Sequence, residues 1–198
     1  MNNGPTSPSG TKQPSRKAPA IPSGVLAMIV FVAIEMMMFA GLISAFIITR
    51  EGATGGIWPP PGQPRLPIEE TAINTAALLL SGATLFWAER NFRKAAARAE
   101  WPLFITLLLG VFFVGAQGRE WFALIDQGLT LVSSAYGGFF YLIVGMHGIH
   151  AIAALLALAW AWVGLKRGRL KNTEFWAVQV FWYFVVGLWP LLYWLVYL

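Results

Sequence analysis

Apolar and polar positions fall along this chain in long blocks, not with the two-residue period of a strand. Five apolar runs stand at about 25–49, 71–88, 101–123, 135–165 and 175–198. Each is near or above the roughly 20 residues that cross a bilayer as a helix. In lipid a segment must satisfy its own backbone hydrogen bonds, which a helix does within itself. The pattern therefore predicts an all-α, polytopic membrane bundle of five transmembrane helices over residues 23–198. Residues 1–22 are rich in Pro, Ser, Gly and Asn, with Lys12, Arg16 and Lys17 as their only charges. Such a composition buries too little apolar surface to fold, and a flexible tail is expected there. The run that follows is too long for the apolar core of a cleaved leader.

Composition agrees with the pattern. Hydrophobic residues make up 57% of the 198 and charged residues only 12%, about half the share usual in soluble domains. Cysteine is absent, which excludes disulfides, thiolate metal sites and redox thiols together. The net charge of +5 does not indicate nucleic acid, because no DNA- or RNA-binding motif surrounds the basic residues. It reads instead as topology. Eleven of the fourteen Lys and Arg lie in the tail, in 89–100 and in 165–174, while Arg50, Arg65 and Arg119 occupy the alternate side. The positive-inside rule then places the N-terminus in the cytoplasm and the C-terminus outside.

Few polar groups interrupt the apolar runs. Glu35 lies about ten residues into the first, roughly 15 Å along a helix from its inner end. The only two histidines, His147 and His150, stand three apart in the fourth run, and Gln117 and Glu120 lie late in the third. His150 is about 15 residues from either end of its run, roughly 22 Å, which brings it near the depth of Glu35. Glu35 is thus expected to meet His150, and His147 to reach Gln117 or Glu120. Ionisable groups in a membrane face protein or water and mark places of interest. Three readings of the histidines compete. A metal or haem site lacks further ligands at fixed spacing. A proton relay through Glu35 is the second. A satisfied structural network that locks helices together is the expectation carried forward.

Other features concern packing and contact. Gly137, Gly138, Gly145 and Gly148, followed by four alanines, give the fourth run a small-residue surface for close helix approach, with Gly145 and Gly148 the candidate packing positions. Pro102 falls in the first turn of the third run, where a missing N–H costs little. Pro190 falls inside the fifth and should kink it. Trp58 with Pro59, Pro60 and Pro61 stiffens the first outer loop, either to anchor it at the interface or to dock another subunit. Aromatic residues crowd the last run beyond what an interfacial belt needs. Trp58, Trp87, Trp182 and Tyr183 are the candidate contacts to lipid or to a partner.

Taken in order, these residues resemble subunit III of the haem-copper terminal oxidases. Glu35-Met-Met-Met-Phe-Ala-Gly resembles that family's glutamate-bearing helix, and Trp58-Pro-Pro its outer loop. Asn74-Thr-Ala-Ala-Leu-Leu-Leu-Ser-Gly with Trp87-Ala88 is similar to the next helix, and Leu109-Gly-Val-Phe-Phe with Gln117 and Glu120-Trp-Phe to the one after. Tyr136-Gly with Gly145-Met-His147-Gly-Ile-His150 is similar to the family's hallmark. The resemblance covers nearly the whole chain from about residue 25 and is to the five-span bacterial form. The last helix departs from it. Many members carry Trp-His-Phe followed by Asp-Val-Val-Trp, where this chain has Tyr183 in place of the histidine and Val186 in place of the aspartate.

The resemblance implies an accessory, non-catalytic subunit of an aerobic respiratory oxidase in a bacterial inner membrane. It implies no cofactor in this chain, haem and copper in partner subunits I and II, bound phospholipid, and a possible place in a larger respiratory supercomplex. Its implied roles are durability, oxygen access and proton uptake. The glutamate matching Glu35 is the family's carboxyl-reagent-sensitive one and is not regarded as the pumping element. A quinol oxidase subunit, an accessory protein of nitric oxide reductase, or a small independent transporter or proton channel are the alternatives.

Overall fold

The computed structural model describes residues 23–53 and 58–198, so the expected tail at 1–22 lies outside the described residues. Five helices follow one another: α1 (Ser23–Glu51), α2 (Ile68–Lys94), α3 (Glu100–Asp126), α4 (Ala135–Lys166) and α5 (Asn172–Tyr197). All five are long and apolar enough to cross a membrane, and the chain is a multi-pass membrane protein. A 3-10 turn at Ala96–Ala99 leads into α3.

Each apolar run became one helix, with ends moved for local reasons. α2 runs six residues beyond its apolar stretch, to Lys94. Glu89, Arg90, Arg93 and Lys94 are good helix formers on the watery side, and Arg93 pairs with Glu89 one turn back. At the start of α4 the Ser134 hydroxyl accepts the Gly137 N–H at 3.1 Å, a side-chain cap on an otherwise orphaned donor. Its other end closes through Gly168, whose φ of +63° lets Arg169 N–H reach Gly164 O at 2.9 Å. A side chain at Gly168 would strain that turn.

Helices α2, α3, α4 and α5 close a ring in which each touches the next, and α1 docks outside it on α4 and α5. The centre of the ring is filled from α5. Trp182 and Trp189 are both wholly buried, and Trp189 stacks edge-on against Phe113 of α3 at 5.0 Å. Gly110 of α3 makes room for this packing. A Cβ there would stand 2.7 Å from both Leu155 Cδ1 and Trp182 Cη2. α5 remains helical through Pro190. α1 contributes little to the interior: Val25, Phe39 and Phe46 are its only buried residues.

Candidate functional site: the polar groups inside the bundle

Glu35 sits on the side of α1 that faces α4, and its Oε2 lies 3.1 Å from His150 Nε2. The contact has an ion pair's distance but is turned away from the ideal hydrogen-bond direction. The other ring nitrogen, Nδ1, is 2.7 Å from Met146 O one turn back. A carbonyl only accepts, so Nδ1 carries a hydrogen. Nε2 is then the ring atom turned toward the Glu35 carboxyl. Phe31, Phe39, Phe181 and Phe184 enclose the imidazole, with ring centroids 5.7 to 6.4 Å away. Among the described residues, no hydrogen-bonded chain leads from this pair to another polar group. As it stands, the pair ties α1 to α4.

His147 does not do what its position in the chain predicts. It reaches neither Gln117 nor Glu120, and both its ring nitrogens are buried without a partner. Its ring lies against Trp189 at 5.0 Å, with Phe39 and Phe113 edge-on. Three residues along a helix is roughly 60° short of a full turn. His150 therefore points to α1 while His147 points into the ring. The expected five-residue network is two separate clusters with His147 in neither.

The second cluster joins the start of α2 to the last turns of α3 and α5. Gln117 Nε2 donates to Glu120 Oε2 and to the Tyr197 hydroxyl, each at 3.0 Å. Thr71 Oγ1 lies 2.9 Å from Glu120 Oε2 and 2.7 Å from Pro67 O. The Thr71 hydroxyl hydrogen thus faces two acceptors, one on α3 and one in its own preceding turn. Asn74 Nδ2 donates to Phe113 O at 3.2 Å.

Further inward the row continues along α2. Trp189 Nε1 donates to Thr75 Oγ1 at 2.8 Å, Trp182 Nε1 to Ser81 Oγ at 3.1 Å, and the Thr84 and Thr106 hydroxyls meet at 2.9 Å. Thr71, Asn74, Thr75, Ser81 and Thr84 form one stripe that the polar pattern of the sequence had not singled out. Their near-helical recurrence was the available signal.

The contact residues divide. Trp182 is wholly buried, so it is a core residue and not a contact to lipid or partner. Its indole is held by Ser81 and roofs Gly110. Trp58 is half-buried against Phe46 and Tyr136, at 5.8 and 5.5 Å. Trp87 is 52% exposed and stays available for contact. Tyr183 is partly buried, with no hydrogen-bond partner for its hydroxyl.

Gly145 and Gly148 receive the Trp121 indole of α3, with Trp121 Cη2 at 3.8 and 3.1 Å from where a Cβ would stand. The small-residue face thus admits a side chain rather than a second backbone. Beside it lies an apolar cavity of about 140 Å³ between α3 and α4. Gly145→Ala should leave the bundle unchanged, whereas Gly148→Arg should push Trp121 aside and bring an unpaired charge into the membrane. Comparing the yield of monodisperse protein for the two variants in mild detergent checks this.

No three His, Cys, Asp or Glu side chains gather among the described residues in a way that could hold a metal ion. The fold is that of a polytopic membrane subunit whose interior polar groups serve mainly to join its own helices. Comparison with known proteins gives the family. The model for cytochrome c oxidase subunit III matches residues 11–198. Probable cytochrome c oxidase subunit 3 of Nocardia farcinica is 34% identical over 167 residues, covering 81% of this chain and 80% of the relative. That of Mycobacterium leprae is 35% identical over 176 residues, 85% and 84% of the two chains. Cytochrome c oxidase subunit 3 of Bos taurus is 33% identical over 187 residues, 88% of this chain and 69% of the bovine one. The chain belongs to the cytochrome c oxidase subunit III family, the accessory subunit of the haem-copper oxidases.

Proposed function

We propose that this chain stands beside the haem- and copper-bearing subunits I and II of a bacterial aerobic oxidase and holds no redox centre itself. The observation that carries this reading is the subunit III match along residues 11–198. The Lys and Arg distribution supports a cytoplasmic N-terminus and an outward C-terminus in the inner membrane. α1 is the face for neighbours: Leu26, Ile34, Met37 and Ile48 are among its exposed apolar residues, and phospholipid or a partner helix would cover them. Support of oxygen access, proton uptake and durability in turnover is the role proposed, with cytochrome c as electron donor.

Capture of the tagged chain in mild detergent should bring haem-bearing subunits with it, visible as absorption bands in a reduced-minus-oxidised spectrum. Transport by the isolated chain in liposomes, with no haem co-purifying, would overturn the reading in favour of an independent transporter. Glu35→Gln should leave assembly and initial oxygen consumption largely intact. Complete loss of oxygen reduction in an assembled Glu35→Gln complex would instead give this carboxyl a direct part in the chemistry.

A further inference from the structure

We propose that the cavity between α3 and α4 is a binding site for a small, uncharged ring compound that carries one hydroxyl group. Its volume, about 140 Å³, is that of cavities that take up a benzene-sized molecule. Phe113, Val114, Val144 and Trp189 give it apolar walls. Two lining residues break that character. His147 is 1% exposed, and neither of its ring nitrogens has a hydrogen-bond partner. The Trp121 indole N–H is likewise buried and unpartnered. Buried polar groups are nearly always hydrogen-bonded, so orphaned nitrogens on two sides of one cavity call for an occupant that answers them.

The orphaned atoms select the chemistry. An uncharged imidazole has one N–H and one bare nitrogen, and an indole has an N–H only. A hydroxyl oxygen accepts from an N–H while its hydrogen goes to a bare nitrogen, so one group meets both kinds of atom. Water shares that chemistry but does not cover the apolar walls. Benzene covers the walls and leaves the nitrogens unpaired. A hydroxylated ring does both. Ile149 and Ile152, 63% and 47% exposed, line the same cavity, so it borders the lipid-facing seam of α3 and α4 and the ligand enters from the bilayer. Trp121 is the movable wall. Its ring rests on Gly145 and Gly148, and no hydrogen bond holds it. The nitrogens lie just behind the wall, covered by neighbouring atoms, and a turn of this unanchored indole exposes them. The site goes beyond the accessory role proposed above and needs no particular partner subunit.

The probes are para-fluorophenol and fluorobenzene, titrated into the complex captured in mild detergent. Fluorine NMR follows them, and the saturable component is separated from partition into the micelle. Wild type should show a saturable site for para-fluorophenol and bind fluorobenzene roughly tenfold more weakly. His147→Phe keeps a ring in place and removes both nitrogens. It should weaken para-fluorophenol roughly fivefold and leave fluorobenzene within about twofold. Val144→Phe fills the cavity and should abolish saturable binding of both probes. Val114→Phe fills it from a half-buried wall and gives the same reading if Val144→Phe does not assemble. A single size-exclusion peak shows that each variant is folded. Absence of saturable binding in wild type overturns the site. Equal affinity of the two probes overturns the selection for a hydroxyl, as does an unaltered phenol affinity in His147→Phe. Saturable binding that survives both filling variants lies elsewhere in the complex and sinks the proposal.

Discussion

Trp182→Ala should destabilise the bundle by roughly 3–5 kcal/mol, the cost usual for emptying a packed aromatic site. Trp182 is wholly buried at the centre of the helix ring. Its ring edge occupies the space that Gly110 leaves open, and its N–H donates to Ser81 at 3.1 Å. Truncation removes both at once. Trp182→Phe retains most of the apolar volume and should lose about 1–2 kcal/mol, chiefly from the hydrogen bond. Gly110→Val approaches the same joint from the other side and should cost about 1–3 kcal/mol, because its first added carbon already collides with Leu155 and Trp182. Thermal unfolding in detergent, read by size-exclusion of the heated protein, ranks the three. A Trp182→Ala variant as stable as wild type would mean that the ring has no such centre.

Glu35→Leu should cost about 3–5 kcal/mol, whereas Glu35→Gln should cost little. Leucine leaves His150 Nε2 facing apolar rings without a polar neighbour, while its Nδ1 stays tied to Met146 O. The Gln amide can still donate to that nitrogen. His150→Leu alone strands the carboxyl in the same way. Glu35→Leu/His150→Leu should therefore be more stable than either single variant, since it leaves no buried polar atom unpaired at this joint. Thermal midpoints of the four proteins form the cycle. Strictly additive losses would show that the two side chains do not act as a unit.

Much of the fold was legible because a bilayer imposes length. Every apolar block became one helix long enough to span, with ends moved by at most three residues except where Glu89 to Lys94 carry α2 six residues further. The separation of α1 from the ring was not legible, because its apolar residues face lipid as readily as protein and carry no stripe. Helix depth brought Glu35 and His150 to one level, and the structure places them 3.1 Å apart. Depth alone misled for His147. A level says nothing of azimuth, and 60° of rotation sends that ring among Trp189, Phe39 and Phe113. Thr71, Thr75 and Ser81 escaped notice for a different reason. A hydroxyl in a membrane helix can bond the carbonyl of the turn before it, as Thr75 does to Thr71 O at 2.7 Å, so its presence alone implies no partner. Trp182 was misjudged because an indole is equally at home in a core and at an interface.

The stripe on α2 bears on how the polypeptide enters the bilayer. α2 is the least apolar of the five spans. As a lone segment leaving the translocation machinery it would present Asn74 and four hydroxyl residues to hydrocarbon. α3 follows after a five-residue connection at 95–99 and brings Gln117, Glu120 and the Phe113 carbonyl to Thr71 and Asn74. Partition of α2 should therefore depend on synthesis of α3, with the two entering as a hairpin. Nascent chains truncated before residue 100 should leave α2 only partly inserted.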